Sequence, residues 1–307
     1  MKKAVIVLAI LIVIGFIPFQ QHSSVSIRSN YFDVCQQLMN AGDWKRWEPE
    51  INSYADNQIS TQSFKSGFLI RTPNQVFNIK NVGANTFNVV KTRNHINYHC
   101  FYMVVPEIKN SYATVVIDAK TNVFKWLISR VEPSAEPAYL MLSLKAFMEN
   151  PRLYYGFTIH EINVAESYLA VKKETILAKN KYPEINKAAN DINSFIAQSN
   201  IKAVSSLSGA YYPHQADSLQ ILIGIPVNKQ VNSTPAITFM HMPGGKVIVG
   251  DYDGKYSERQ KVYTAMEKYI QDHDLKKQVL PFERYLNNKA PAGENDMVNM
   301  QVNYPVL

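Results

Sequence analysis

The hexapeptide Pro281-Phe282-Glu283-Arg284-Tyr285-Leu286 sets one carboxylate inside a short aromatic, strand-forming tract. In an extended chain Glu283 and Tyr285 point to one face, Phe282 and Arg284 to the other. A carboxylate on a packed face beside a tyrosine is paired, protonated or awaiting a cation, because an unpaired buried charge is costly. Such a group receives cationic or polar parts of a ligand, and aromatic faces around it add cation–π attraction. The same two residues fit a second chemistry, hydrolysis, with Glu283 as general base on a water and Tyr285 as proton donor.

The elements that must hold this tract are readable on either side of it. Strands are expected at Phe239–Met242 and Lys246–Tyr252, separated by the Pro243-Gly244-Gly245 turn. Asp253-Gly254 reads as a positive-φ turn, and Ser257-x-x-Gln260 as a capping box opening a helix to Asp272. A last strand covers Val298–Val306. An earlier stretch repeats this plan. Val164–Val171 aligns with Met242–Val249, and Ile223–Val227 with Val302–Val306. Between them lie two amphipathic helices, one burying Ile185, Ala189, Ile192 and Ile196, the other Val262, Met266, Tyr269 and Ile270. Each copy reads β-α-β-β and would leave an apolar sheet face bare, so the two must pack together. In the first copy Gly209-Ala210-Tyr211-Tyr212 occupies the place of the hexapeptide, with Tyr212 set against Tyr285 and Ala210 against Glu283. A duplicated scaffold carrying one unduplicated acid describes a single asymmetric site.

The preceding half has a different rhythm. A strand is expected over Ser23–Arg28, then a helix capped by Asn30 with Phe32, Cys35 and Met39 on one face, then a short helix ending at Pro49. From Ile59 to Arg130 period-two segments predict strands at 67–70, 75–79, 86–90, 98–105, 114–118 and 123–128, followed by a helix over Ala138–Glu149. His95 and His99 carry no metal reading, since four residues along a strand separate their side chains by about 13 Å. No HExxH or CxxC is present, so no metal or other cofactor is expected. Cys35 and Cys100 read as small apolar side chains rather than a disulfide scaffold.

Two resemblances follow from these residues. The strand–helix opening and the Trp44-x-x-Trp47 pair resemble the START-like (polyketide cyclase, lipid-transport) superfamily over residues 22–150. Arg28-Ser29-Asn30 departs from that family's usual Ala-Pro turn. The tracts 242–246, 252–256, 281–286 and 302–306, in that order, resemble the GyrI-like, or AraC-type effector-binding, family over about 157–307. Gly244 and Lys255 depart from its pattern. The second resemblance implies a cleft between the duplicated halves, walled by Tyr212, Tyr252 and Tyr285, with Glu283 as the receiving carboxylate. The first implies an apolar cavity between a curved sheet and a last helix. The expected fold class is therefore α+β: a helix-grip START-like domain, then a duplicated β-α-β-β effector-binding domain with antiparallel sheets.

Lys2 and Lys3 precede an uninterrupted apolar run from Ala4 to Phe19, and no small-x-small cleavage site follows it. Residues 1–21 are expected to form an uncleaved transmembrane anchor, with the N-terminus cytoplasmic and the domains 22–150 and 151–307 outside, in a bacterial arrangement. The net charge of +7 is spread thinly, 15 Lys/Arg against 10 Asp/Glu in residues 1–150 and 17 against 15 in the rest. With no basic block and no DNA-binding motif, a nucleic-acid partner and transcriptional control are not expected. The function expected is a membrane-anchored protein that binds a small molecule, cationic or apolar. Its alternatives are a hydrolase acting on reactive small molecules and a lipid-binding START-like protein.

Overall fold

The computed structural model describes residues 15–107, 112–132 and 136–307. The chain divides into two compact units, Met1–Asn150 and Pro151–Leu307. Residues 1–14 of the expected anchor lie outside the described residues. Among the described residues no helix is long and apolar enough to cross a membrane.

The first unit is an antiparallel sheet of β1 (Pro18–Ile27), β2 (Ser60–Phe64), β3 (Gly67–Arg71), β4 (Gln75–Gly83), β5 (Thr86–Arg93), β6 (Ile96–Glu107) and β7 (Tyr112–Asn122), ordered β1-β7-β6-β5-β4-β3-β2. Strand β1 starts at Pro18, earlier than expected, because β7 continues to Asn122 and offers Pro18 a partner there. It takes in the last residues of the segment expected to be anchor. Three helices follow β1: α1 (Tyr31–Met39), α2 (Ala41–Trp47) and α3 (Pro49–Asn52). Asn30 caps α1 as expected, its side chain accepting from the Phe32 N–H. The buried face is Val34, Cys35 and Leu38, while Phe32 is 75% exposed. Trp44 and Trp47 are buried with ring centroids 4.6 Å apart. His95 adopts φ 60° in the turn between β5 and β6, where period-two reading had suggested strand.

The segment expected as a sixth strand, 123–128, is helical: α4 spans Val123–Val131. Its β-branched and aromatic content imitates a strand, but the Asn122 side chain accepts from the Lys125 N–H and starts a helix instead. Helix α5 (Tyr139–Met148) buries Leu140, Met141, Leu144, Phe147 and Met148 and is tied to β1 by Lys145 Nζ donating to the Ser26 carbonyl at 2.6 Å.

The second unit is an eight-stranded antiparallel sheet with two long helices. Its elements are β8 (Ile159–Val164), β9 (Ser167–Leu177), α6 (Lys181–Gln198), β10 (Ser208–Pro213), β11 (Ser218–Val227), β12 (Thr238–Met242), β13 (Gly245–Lys255), α7 (Gln260–Asp272), β14 (Phe282–Tyr285) and β15 (Met297–Val306). The strand order β12-β9-β11-β10-β14-β15-β13-β8 is a palindrome of equivalent strands about the β10–β14 pair. Each copy is β-β-α-β-β, one strand more than the expected β-α-β-β. That extra strand crosses over: β8 of the first copy pairs with β13 of the second, and β12 with β9. Ile185 and Ile192 of α6 and Val262 and Met266 of α7 share one buried core with Ile221, Ile223, Met300 and Val302 of the sheet.

Two local expectations are corrected. Gly254 lies inside β13 with no positive φ, because β13 stays paired with β15 to Lys255. Ser257 does not cap the helix. Tyr256–Glu258 is a 3₁₀ turn, and α7 begins after it at Gln260 without a side-chain cap.

Candidate functional site

Strand β14 is four residues long and alternates outward and inward, which buries Glu283 and Tyr285 on the face covered by α6 and α7. Glu283 is 1% exposed. Its Oε2 accepts from the hydroxyls of Tyr285 at 2.5 Å and Tyr256 at 2.9 Å. Its Oε1 accepts from Tyr263 at 3.2 Å and faces Arg259 Nε at 3.3 Å. The 3₁₀ turn supplies Tyr256, and Arg259 and Tyr263 follow at three- and four-residue steps into α7, so the three project toward the same carboxylate.

A further ring of groups surrounds these. The Tyr211 hydroxyl of β10 lies 2.7 Å from that of Tyr285. Lys181, at the start of α6, is buried and donates to the Tyr256 hydroxyl at 3.3 Å. Its ammonium stands 4.7 Å from the Tyr256 ring centre and 4.9 Å from that of Tyr211. Burial, reinforced by the nearby Arg259 charge, pulls Lys181 down to about 8, against the attraction of Glu283 and Glu294. Burial and then the Glu283 charge push Tyr256 and Tyr263 far above the ordinary phenol range, so both act as neutral donors. The Arg259 guanidinium stacks 3.9 Å from the Tyr256 ring centre and reaches Glu294 at 3.2 Å. A carboxylate, an arginine, a lysine and four phenols thus meet in one packed volume. Such an array holds a cation against an acid and aromatic faces.

Of the four residues singled out from sequence, Glu283 and Tyr285 meet here and the other two do not. Tyr252 faces the same side of the sheet but packs near Phe157, its hydroxyl donating to the Lys255 carbonyl at 2.5 Å. Tyr212 lies on the opposite face, lining a separate cavity. The hydrogen-bond register explains the substitution of Tyr211 for Tyr212. Val171 matches Val249 between the copies, and these pair with Gly224 and Asn303. Gly224 and Asn303 in turn pair with Ser208 and Phe282, so Ser208 matches Phe282, Gly209 matches Glu283 and Tyr211 matches Tyr285. The sequence alignment of that tract is one residue out of step. Gly209 also faces Glu283 directly across the β10–β14 pair. A Cβ at Gly209 would collide with the Tyr211 hydroxyl, which folds back over it.

The other cage residues escape sequence reading for separate reasons. Arg259 and Tyr263 look like the polar side of an amphipathic helix, and Lys181 like an ordinary first-turn lysine. Tyr256 sits in a motif tract, and only its three-residue spacing to Arg259 marks it.

With this geometry in view, residues 158–304 match the family model described as GyrI-like small molecule binding domain. That match bears out the effector-binding resemblance of the C-terminal half. Among solved structures, the C-terminal domain of EcmrR is similar at 12% identity, covering 49% of this chain and 98% of that one, with a TM-score of 0.41. SAV2435, solved bound to tetraphenylphosphonium, is similar at 14% identity over 49% of this chain and 94% of its own, TM-score 0.32. A START superfamily protein from Mycobacterium smegmatis is similar at 10% identity over 42% of this chain and 97% of its own, TM-score 0.31. No curated protein matches the chain.

Proposed function

We propose that this chain, whose C-terminal half carries a GyrI-like small-molecule-binding domain, binds a small molecule with a cationic or strongly polar group delivered to Glu283. One observation carries the reading: three tyrosine hydroxyls and one guanidinium converge on a carboxylate that solvent does not reach. Arg259 then acts as an internal occupant. Its flat cation, stacked on Tyr256 and set against Glu283, takes the pose that a ligand cation would adopt after displacing it. Arg259 is the displaceable partner because its side chain is 24% exposed while that of Glu283 is 2% exposed. Donors on both carboxylate oxygens favour receiving a charge over activating a water, so binding is preferred to the hydrolase alternative.

Tetraphenylphosphonium serves as a lipophilic cation probe in calorimetry with the full chain. Glu283→Gln is expected to weaken it at least tenfold, and Arg259→Met to strengthen it. Equal affinity in wild type and Glu283→Gln would sink the reading.

The apolar run 4–19 behind Lys2 and Lys3 supports tethering of the chain to a membrane, the N-terminus cytoplasmic and the two units beyond the bilayer. Alkaline carbonate extraction tests this: a tethered chain stays in the membrane pellet, and release into the supernatant refutes the tether. The strand, helix and meander order of the first unit supports a START-like reading of it.

A further inference from the structure

The face of the second sheet turned away from α6 and α7 carries a cavity of about 540 Å³, inside the ~300–1,000 Å³ range of small-molecule sites. Ala210, Tyr212, Leu222, Met240, Phe282 and Leu280 give it an apolar lining, and no aspartate or glutamate lines it. Met240 and Leu280 at its rim are 39% and 61% exposed, large apolar groups left facing solvent. Three cationic or potentially cationic residues line it, and two are engaged. Lys246 pairs with Glu161 at 3.1 Å and His241 with Glu166 at 2.8 Å.

The third, Arg284, has no carboxylate partner among the described residues, and its buried Nε makes no hydrogen bond. Asp251, two strands along through Gln301, is held instead by Gln301 at 3.0 Å and His160 at 3.8 Å. Burial, with no opposing charge, lowers the Arg284 guanidinium from its ordinary range. A half-buried guanidinium facing an apolar cavity without an anion is costly, and a bidentate acceptor removes that cost. Ser208 lies directly across the β10–β14 pair from Arg284 on the same face and also lines the cavity. Its hydroxyl donates to the Ser206 carbonyl at 3.4 Å, a long bond that a ligand carboxylate held by Arg284 would replace.

We propose that this cavity is a second ligand site, distinct from the Glu283 cage, for an amphiphilic anion: one carboxylate held by Arg284 and Ser208, with an acyl chain along the apolar lining. The two sites share strand β14, whose alternation sends Glu283 to one face and Arg284 to the other, so opposite charges select opposite ligands.

The test is titration of the full chain with dodecanoate, with dodecyltrimethylammonium and dodecanol as matched controls. Methionine ε-methyl resonances report location. Dodecanoate is expected to bind saturably, to shift Met240 and Met242, and to outbind both controls at least tenfold. Arg284→Met, which keeps the apolar stem, is expected to lose that preference, and Arg284→Lys to retain part of it. Absence of saturable binding, unmoved Met240 and Met242, or equal dodecanoate affinity in a folded Arg284→Met protein would each overturn the site. Since Arg284 is only half-buried, circular dichroism of Arg284→Met and Arg284→Lys separates lost binding from lost structure.

Discussion

Glu283 shows how much one acid is bound by its neighbours. Three of its partners, Tyr256, Arg259 and Tyr263, come from the turn–helix tract 256–263 and one, Tyr285, from its own strand, so the carboxylate pins α7 to β14. Removing Arg259 leaves a buried acid with phenols alone. Arg259→Met is expected to destabilise the second unit by about 1–3 kcal/mol, less than the loss of a fully buried ion pair because Arg259 retains some solvent. Urea denaturation followed by tyrosine fluorescence measures this, and an unchanged midpoint contradicts it. Gly209→Ala acts through shape alone. The added methyl collides with the Tyr211 hydroxyl and breaks its bond to Tyr285, at a cost of about 1–3 kcal/mol. A structure of the variant should show Tyr211 swung away while Glu283 keeps Tyr256. Glu283 and Tyr285 were legible because a strand's alternation is local and a lone acid between aromatics stands out. Tyr211 was hidden by a one-residue difference between the copies that only the hydrogen-bond register resolves. Arg259 and Tyr263 were hidden because helical periodicity separates polar from apolar positions and cannot say which polar ones turn inward.

At the scale of elements, period-two patterning found β3 to β7 and missed β2, whose residues are all exposed and show no alternation; three- and four-residue spacing found α6 and α7. It failed at α4, where Val123, Phe124, Trp126, Leu127 and Ile128 carry strand-like residues on a helix nucleated by the Asn122 cap. Caps decide such cases, and a second cap in the first unit carries a pH response. Glu48 precedes α3, its Oε2 accepting from the Ile51 N–H at 2.6 Å while its Oε1 is buried with no hydrogen-bond partner. Burial raises its pKa from 4.5 to about 7, against the Ile51 hydrogen bond and the Lys91 charge, which lower it. Between those two values the folded chain keeps a proton that the unfolded chain has released. Stability contributed by this group is therefore full below about pH 4.5 and declines as pH rises to about 7, by at most about 3 kcal/mol. Glu48→Gln removes the titration. Denaturation at pH 5 and pH 8 should show a smaller difference for the variant than for the wild type, and an equal difference would refute the assignment.

At the scale of the molecule, the crossing of β8 and β12 is the feature that patterning could not reveal. A strand that pairs within its own copy and one that pairs with the other copy have the same alternation of residues. The consequence is mechanical. In the first copy β9 is left with β11 on one side and needs β12 on the other, while β8 has no partner until β13 arrives. The shared core likewise draws on both helices and both sets of strands, all between Ile159 and Val306. Residues 151–307 should therefore fold alone in one cooperative transition, whereas 151–236, holding β8 through β11, should not. That shorter fragment keeps α6 but loses the core it shares with α7, and leaves β8 unpaired and the edges of β9 and β10 open. Amide exchange separates the outcomes: slow exchange across β9, β11, β13 and β15 in the long fragment, unprotected amides throughout the short one. A protected, monomeric 151–236 would show that one copy suffices. The cage would then be built onto a self-sufficient half rather than made possible by the exchange of strands.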